Sequence, residues 1–252
     1  MTRVLSLGGS IVAPEGPDAP FLKAFKELIL EYLEAQADRR IIFVVGGGGP
    51  ARNWQKAYRE VIGTEATDAE ADWIGIMATR LNAQLVKGAF GSLCPQDVVT
   101  DPTSVELFMG RILVASGWKP GWSTDYDAVL LGERFGATEI LNLSNIAKVY
   151  TADPKVDPSA KPIDQISWTD FRAIVGDTWT PGKNLPFDPI ATKKAAELGL
   201  KAVDITPFSI TTQSLPDAQP GVDAGEHSNR PLFHVADSRR LLKVLTSRSP
   251  AS

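Results

Sequence analysis

Cysteine and histidine are nearly absent from this chain of 252 residues. The one cysteine, Cys94, excludes a disulfide within the chain and predicts a reducing, cytoplasmic location. Lone cysteines usually serve as small apolar residues, so we do not expect Cys94 to be catalytic. The two histidines, His227 and His234, both lie near the C-terminus. This distribution argues against a histidine-based catalytic triad and against a zinc site.

Long hydrophobic runs and an excess of positive charge are also missing. The longest apolar runs, such as 41–45, are far too short to cross a bilayer. Gly8 and Gly9 interrupt the apolar N-terminal stretch, which argues against a secretory signal. The net charge of −4 argues against general nucleic-acid binding, because such binding needs a basic surface. The composition therefore predicts a globular protein with neither membrane nor nucleic-acid partners.

Strand and helix patterns alternate along most of the chain. Short apolar runs predict strands at 3–7, 41–45, 111–115, 139–143 and 201–205. Apolar residues at three- and four-residue steps predict helices from residue 21 onward and at 51–62, 69–86, 126–135, 167–175 and 189–198. Such alternation is typical of an α/β protein with a mostly parallel sheet between helices. In these sheets, ligands bind at the carboxyl ends of the strands.

The last part of the chain differs in composition from the rest. Residues 206–231 are rich in proline, glycine, serine and threonine, which predicts a long loop that is partly disordered. A short amphipathic helix is predicted in the sequence DSRRLLKVL, at 237–245. We therefore divide the chain into one domain at 1–205 and an atypical tail at 206–252.

Three of the predicted strands end in loops of glycine and small polar residues, at 8–10, 46–49 and 117–125. Main-chain N–H groups in such a turn, just before a helix, attract phosphate, and glycine lets the backbone approach the anion closely. Arg52, about one turn into the next helix, adds a charged donor. The alternative is that each loop is only a tight strand–helix connection. Their recurrence favours one continuous floor under a polyanion.

Four charged residues near predicted helices are candidates for chemistry. Asp72, Asp125 and Asp188 each stand close to a predicted helix start, where a carboxylate can also act simply as an N-cap or as a partner of the helix dipole. Lys193 lies a little over one turn into the helix after Asp188, from which it can reach a phosphate. The alternative for Lys193 is a solvated surface lysine.

A further candidate site lies in the irregular segment 142–163, which follows a predicted strand. Its polar, aromatic and acidic side chains suit a nucleotide base and ribose; they are Ser144, Asn145, Tyr150 and Asp153. An ordinary surface loop has the same composition, so the residues alone leave both interpretations open.

Taken in order, these stretches resemble the amino acid kinase superfamily, and most closely its archaeal-type uridylate (UMP) kinases. The residues that carry the resemblance are SLGGSIVAPEGPD, VVGGGGPAR, DWIGIMATRLNA, GWKPGWSTDYDAVLLGERFGA, VYTADPKVDPSAKPI and DPIATKKAAELGLK. The resemblance covers about residues 1–205. It implies a three-layer αβα sandwich around a largely parallel central sheet. It also implies homo-oligomers, typically hexamers, and transfer of the γ-phosphoryl group of ATP to UMP with Mg²⁺ present.

The resemblance also assigns roles to individual positions of this sequence. The ATP phosphates are expected at Gly9, Ser10, Gly48 and Arg52, and the adenosine at Ser144, Asn145, Tyr150 and Asp153. UMP is expected at Gly47, Asp72, Gly117, Trp118, Lys119, Pro120, Gly121, Trp122, Ser123 and Thr124. The catalytic group is expected to be Arg52, Asp125, Asp188 and Lys193. No protein side chain is assigned to the metal, because phosphate oxygens and water would hold it.

The sequence departs from the family pattern at several positions. Many relatives have a lysine on the first strand where this chain has Ser6, and an Asp-Gly turn where it has Ala147 and Lys148. Asp127 occupies a position where an apolar residue is common. The tail after residue 205 does not show the usual ending of the family.

Two other functions remain open on the same scaffold. One is a non-catalytic role, either nucleotide binding or storage of an oxyanion such as molybdate or tungstate, although the chain lacks the histidine-rich interior that storage favours. The other is phosphorylation of a different small molecule. Isopentenyl phosphate kinases, for example, carry a histidine soon after their second glycine loop, where this chain reads Pro50-Ala51-Arg52-Asn53.

Overall fold

The computed structural model describes residues 2–137, 139–143, 149–151, 157–163, 168–176, 187–199 and 245. Helices and strands alternate through these ranges. In chain order they are β1 (Thr2–Leu7), α1 (Gly9–Val12), α2 (Ala19–Glu34), β2 (Arg40–Val45), α3 (Gly48–Ile62), α4 (Asp68–Phe90), β3 (Ile112–Ala115), α5 (Thr124–Arg134), β4 (Ile140–Leu143), β5 (Val149–Tyr150), β6 (Pro162–Ile163), α6 (Trp168–Val175) and α7 (Pro189–Glu197).

Four strands form a parallel sheet in the order β3-β2-β1-β4. Strands β1 and β2 stay in register to their last residues, where Leu7 lies opposite Val45. The loops that follow these two strands therefore begin side by side. Helices flank the sheet to give a three-layer α/β sandwich, in which α4 contacts β2 and β3 while α5 contacts β1 and β2. Strands β5 and β6 form a separate antiparallel pair.

The core lies between the sheet and the helices that cover it. The four strands of the parallel sheet are buried nearly throughout because helices cover them, and β2 and β3 carry continuous apolar runs. Helix α2 contributes Phe25, whose ring lies 5.3 Å from that of Phe43 on β2 and 6.3 Å from that of Phe90 on α4. Aromatic contacts at this spacing add to the stabilisation from apolar burial.

Short polar side chains define where the longer helices begin. The Thr67 hydroxyl accepts a hydrogen bond from the Glu70 N–H at 3.3 Å, and Ser123 does the same for the Tyr126 N–H at 3.2 Å. These bonds satisfy N–H groups that have no partner inside the helix, so they fix α4 and α5 at those residues.

The predicted fold class is confirmed, and the predicted strands at 3–7, 41–45, 111–115 and 139–143 match β1 to β4 within one residue at each end. Several helix boundaries differ from the prediction. Helix α2 begins at Ala19 rather than at residue 21, α5 begins at Thr124 rather than at residue 126, and α4 ends at Phe90 rather than at residue 86. Residues 9–12 form the short helix α1 where we expected a break, and α3 begins at Gly48 rather than at residue 51. The predicted strand at 201–205 lies outside the described residues, as does the tail except for Leu245, which is helical and buried.

Candidate functional site

The loops after β1 and β2 pack main chain against main chain. A Cβ atom added to Gly9 would lie 2.0 Å from the backbone nitrogen of Gly48, and one added to Gly46 would lie 2.5 Å from the nitrogen of Gly9. Such distances leave no room for any side chain. The two glycine loops therefore lie in direct contact, as expected, while the binding of a polyanion beside them stays a prediction.

Gly48 needs to be glycine for a second reason. Its φ angle is +64°, a left-handed backbone conformation that other residues adopt only with strain. A Cβ there would also lie 2.3 Å from the carbonyl oxygens of Gly9 and Ala13. Helix α3 starts at this residue, and the Gly49 N–H donates to the Ala13 carbonyl oxygen at 2.8 Å, which ties the start of the helix to the chain just after α1.

Helix α4 ties the second glycine loop to the third. The Asn82 side-chain amide donates to the carbonyl oxygens of Gly46 and Gly47, at 2.9 and 3.1 Å. One turn earlier, the Thr79 hydroxyl accepts a hydrogen bond from the Gly117 N–H at 2.9 Å. Asn82 and Thr79 are both buried, so these bonds place all three loops around one region.

A cleft of about 240 Å³ opens between the start of α3, helix α4 and the loop 117–123. The residues that line it are Gly47, Ala51, Gln55, Asp72, Gly75, Ile76, Thr79, Gly117, Trp122, Ser123 and Thr124. Six of the ten residues expected to bind the acceptor nucleotide are among them. The other four, Trp118, Lys119, Pro120 and Gly121, belong to the loop at its edge.

Asp72 contacts this loop directly. Its Oδ2 accepts a hydrogen bond from the Gly121 N–H at 3.1 Å. The interpretation of Asp72 as a helix cap is wrong, because α4 begins at Asp68 and Thr67 is its N-cap. The carboxylate therefore lies in the second turn, facing the cleft.

Asp125 and Asp188 lie in contact at the carboxyl end of β1. Asp125 accepts hydrogen bonds from the Ser6 hydroxyl at 2.8 Å and from the Asp188 N–H at 3.2 Å. Removal from water raises the pKa of Asp125 to about 6; the Ser6 hydroxyl opposes this rise, and the Asp188 charge adds to it. Ser6, which replaces a lysine common in the family, thus holds the carboxyl of Asp125.

Asp188 is confirmed as an N-cap, whereas Asp125 is not the cap of α5 but stands in its first turn, where an acidic residue favours the helix dipole. Asp188 is buried, and its Oδ1 accepts from the N–H groups of Ile190 and Ala191 at 2.5 and 3.0 Å. Asp125 instead follows the N-cap of α5 and directs its carboxyl toward β1 and α7.

The two candidate basic residues are both exposed. Arg52 lies in the second turn of α3 and donates to the Pro14 carbonyl oxygen at 3.2 Å, so it bridges α3 to the chain just after α1. Lys193 is exposed on α7, and the neighbouring Lys194 pairs with Glu133 at 3.1 Å. For Arg52 the structure gives this one contact with Pro14, and for Lys193 it gives the position on α7 alone, so their roles at the phosphates stay predictions.

Comparison with known proteins identifies this arrangement. A family model described as the amino acid kinase family matches residues 1–205. The chain belongs to this family. It is 37% identical over 202 residues to a uridylate kinase of Methanospirillum hungatei, covering 79% of this chain and 83% of the relative. It is 34% identical to a uridylate kinase of Pyrococcus abyssi, covering 80% and 88%.

Solved structures of amino acid kinase family members have the same fold. The crystal structure of uridylate kinase from Archaeoglobus fulgidus aligns with a TM-score of 0.67 at 34% identity, covering 79% of this chain and 88% of that one. The UMP kinase of Bacillus anthracis aligns at 0.58 over 78% and 83%, and at 21% identity it supports the fold alone.

Part of the predicted donor site lies outside the described residues. Ser144, Asn145 and Asp153 are not described, and of Tyr150 the structure gives only the backbone, which pairs with Pro162. An adenosine site at these residues of the amino acid kinase domain stays a prediction.

Sequence reasoning missed three polar residues that organise the site: Ser6, Thr79 and Asn82. Thr79 and Asn82 stand three residues apart within DWIGIMATRLNA, a stretch already singled out by its resemblance to the family. Their spacing puts them on one face of a helix, and this signal could have revealed them. No local pattern marks Ser6, because its partner Asp125 is 119 residues away.

Proposed function

We propose that this chain transfers the γ-phosphoryl group of ATP to the phosphate of UMP, giving ADP and UDP for pyrimidine nucleotide biosynthesis. One observation carries the proposal: the glycine loops after β1 and β2 pack main chain to main chain beside a cleft. Its support is the 37% identity to a uridylate kinase over most of both chains.

In this proposal the glycine loops hold the ATP phosphates. The contacts of Gly9 and Gly48 leave a surface without side chains, where N–H groups can approach phosphate oxygens directly. Ser10 adds a hydroxyl, and Arg52 adds a guanidinium that can neutralise charge on the transferred group. The adenosine would then lie toward Ser144, Asn145, Tyr150 and Asp153.

UMP would occupy the cleft beside α4. Gly47 and Gly117 line it with main chain. The Asp72 carboxylate can accept a hydrogen bond from a sugar hydroxyl at one oxygen while its Oδ2 keeps the hydrogen bond from the Gly121 N–H. Ser123 and Thr124 at the start of α5 provide further donors for an anion, because the positive end of the helix lies there.

The chemistry needs alignment and charge neutralisation rather than a strong base. The acceptor phosphate is ionised at neutral pH, with a second pKa of about 6. A bond forms from its oxygen to the γ-phosphorus while the bond to the β-phosphate oxygen of ADP breaks, so no proton has to move. Asp125 and Asp188 would position the reacting groups, and Lys193 would add a nearby positive charge.

Mg²⁺ would enter with the nucleotide. Within the described part of the chain, no three His, Cys, Asp or Glu side chains form a group that could hold a metal ion. The donor set here therefore fits a cation bound through phosphate oxygens and water, where it would lower the negative charge of ATP.

We further propose that the protein is a cytoplasmic homo-oligomer, and a hexamer by family resemblance. The support is an apolar stripe along α4, where Trp73, Met77, Leu81 and Leu85 recur every four residues and are 39 to 71% exposed. Exposed apolar stripes of this kind mark interfaces. None of the described helices is long and apolar enough to span a membrane.

The direct test is formation of ADP together with a phosphorylated acceptor, across a panel of nucleoside monophosphates and isopentenyl phosphate. We expect UMP to be the preferred acceptor. Preference for isopentenyl phosphate, or tight molybdate binding without any turnover, would support one of the alternative functions instead.

We predict that Arg52→Ala lowers kcat/KM about 100-fold, because losing one electrostatic contact to the reacting phosphate has about that effect. Lys56→Ala, one turn further along the exposed face of α3, is the matched control and should leave the rate unchanged. Wild-type turnover in the Arg52 variant would contradict the assigned role.

A further inference from the structure

Asp127 is a charged residue in a fully buried position. Its exposed fraction is 0%, and on α5 it is followed by Ala128 and Val129, which belong to the apolar core. A carboxyl group in such a place is costly unless it is paired or hydrogen-bonded. The family resemblance assigns no role to this residue.

The carboxyl group of Asp127 binds the backbone of the loop 117–123, which we call the acceptor loop because UMP is expected there. Its Oδ2 accepts a hydrogen bond from the Trp118 N–H at 3.2 Å. Within the described residues, its Oδ1 has no hydrogen-bond partner although it is buried. The side chain is therefore half satisfied, and its one contact points at the loop expected to hold UMP.

The same peptide segment is also held by α4. Arg80 donates to the Trp118 carbonyl oxygen at 3.4 Å, and the Gly117 N–H donates to Thr79 at 2.9 Å. Trp118 is thus fixed between α4 and α5, with Asp127 as the α5 contact. An apolar residue at position 127 would leave the Trp118 N–H without this acceptor.

The charges around Asp127 favour its neutral form. Burial raises the pKa of Asp127 to about 8, although the hydrogen bond from the Trp118 N–H acts to lower this pKa. Three negative charges raise the pKa further: Asp125 on α5, Asp101 in the chain before β3 and Asp188 at the start of α7. The cations near Trp118 are Arg80, bound to its carbonyl oxygen, and Lys119, whose Nζ lies 3.8 Å from the centre of the Trp118 ring.

We propose that Asp127 is a positioning residue that in its uncharged form holds the acceptor loop for UMP, and that its ionisation weakens acceptor binding. The reason is that an ionised carboxylate behind Trp118 adds buried negative charge next to the site of a dianionic phosphate. The inference rests on the proposed function, because it concerns the affinity for the acceptor.

The test measures the KM for UMP between pH 7 and 9 in the wild type, Asp127→Asn and Asp127→Leu. If only the uncharged form binds, the wild-type KM rises about tenfold over this range. Asp127→Asn keeps an acceptor for the Trp118 N–H but cannot ionise, so its KM should stay flat relative to wild type. Titration of the substrate or of other groups affects both proteins and cancels in the comparison.

Asp127→Leu removes the acceptor, so we expect its KM to be about tenfold higher at every pH with a smaller change in kcat. Hydrogen exchange of peptides covering 117–121 gives a second readout, which should be faster in Asp127→Leu and unchanged in Asp127→Asn at pH 7. If Asp127→Leu does not fold, the pH comparison with Asp127→Asn decides alone.

The inference fails if Asp127→Asn shows the same rise in KM as the wild type, or if Asp127→Leu keeps wild-type KM and exchange. Failure of the proposed function looks different: the wild type then gives no UDP at any pH. In that case hydrogen exchange in the two variants still accepts or rejects the anchoring of the loop.

Discussion

Replacing Asp127 by asparagine should stabilise the protein, and increasingly so as the pH rises. In the unfolded chain the carboxyl of this residue titrates at its ordinary pKa of 3.8, whereas burial raises its pKa in the folded protein to about 8. Between these values the folded state holds a proton that the unfolded state has released. Folding stability therefore falls with rising pH through this window and is unaffected below it.

The magnitude follows from the width of the window. At pH 7 the unfolded carboxyl lies about three pH units above its pKa, and each unit corresponds to about 1.4 kcal/mol. The buried acid at position 127 therefore costs roughly 4 kcal/mol at pH 7 and almost nothing at pH 4. Asparagine has the same shape and no charge to lose, so the variant should recover most of this difference.

Urea unfolding at pH 4.5, 6 and 7.5 measures the effect as the difference in free energy of unfolding between Asp127→Asn and the wild type. Asp97→Asn is the control, because the hydrogen bond and charge of Lys87 lower the pKa of the exposed Asp97 carboxyl. We expect Asp97→Asn to change the free energy of unfolding only slightly and in the opposite direction. The Lys87–Asp97 ion pair stabilises the folded protein at neutral pH and is lost on acidification. A pH-independent difference for Asp127→Asn would refute the reasoning.

Two further substitutions test the site. Gly9→Ala should abolish phosphoryl transfer and lower the melting temperature, because the new Cβ would overlap the backbone of Gly48. Gly16→Ala is the control and should change neither property, because nothing lies within 4 Å of a Cβ at that position. Ser6→Ala removes a hydrogen bond that lowers the pKa of Asp125, so the acid limb of the kcat/KM profile should move to higher pH. An unmoved limb would show that the ionisation of Asp125 does not control the rate.

The sheet and most helices were predictable because their signals are local. The run at 41–45 is continuous and apolar, as expected of a strand covered on both faces, and it is buried throughout β2. The apolar steps from Phe21 to Leu33 likewise match the buried face of α2. Patterns of this kind depend only on neighbours in sequence.

The start of α3 was missed because glycine disfavours helix by itself. In the folded protein position 48 has to be glycine because the loop after β1 leaves no space for a side chain there. This constraint comes from a contact between segments far apart in the chain. The start of α4 was predicted to within one residue, at Ala69 instead of Asp68.

The convergence of the glycine loops was predictable from the sequence, and their polar supports were not. Three strands ending in small residues indicated this convergence, since parallel strands bring their carboxyl ends to one edge; binding of an anion there stays a prediction. The contact of Ser6 with Asp125 joins residues 119 apart, and Asp127 faces Trp118 from a neighbouring element. Only the fold decides such pairings, because no spacing in the chain encodes them.

The contact between Gly9 and Gly48 has a consequence for how this enzyme can change. Most interfaces inside a protein adjust through side chains, which change rotamer when a neighbour is altered or when a ligand binds. Here two backbones are in direct contact, so no side chain between them can change rotamer to accommodate a displacement of either loop. The distance between the two loops is therefore set by the strands beneath, and a movement of one loop has to carry the other with it.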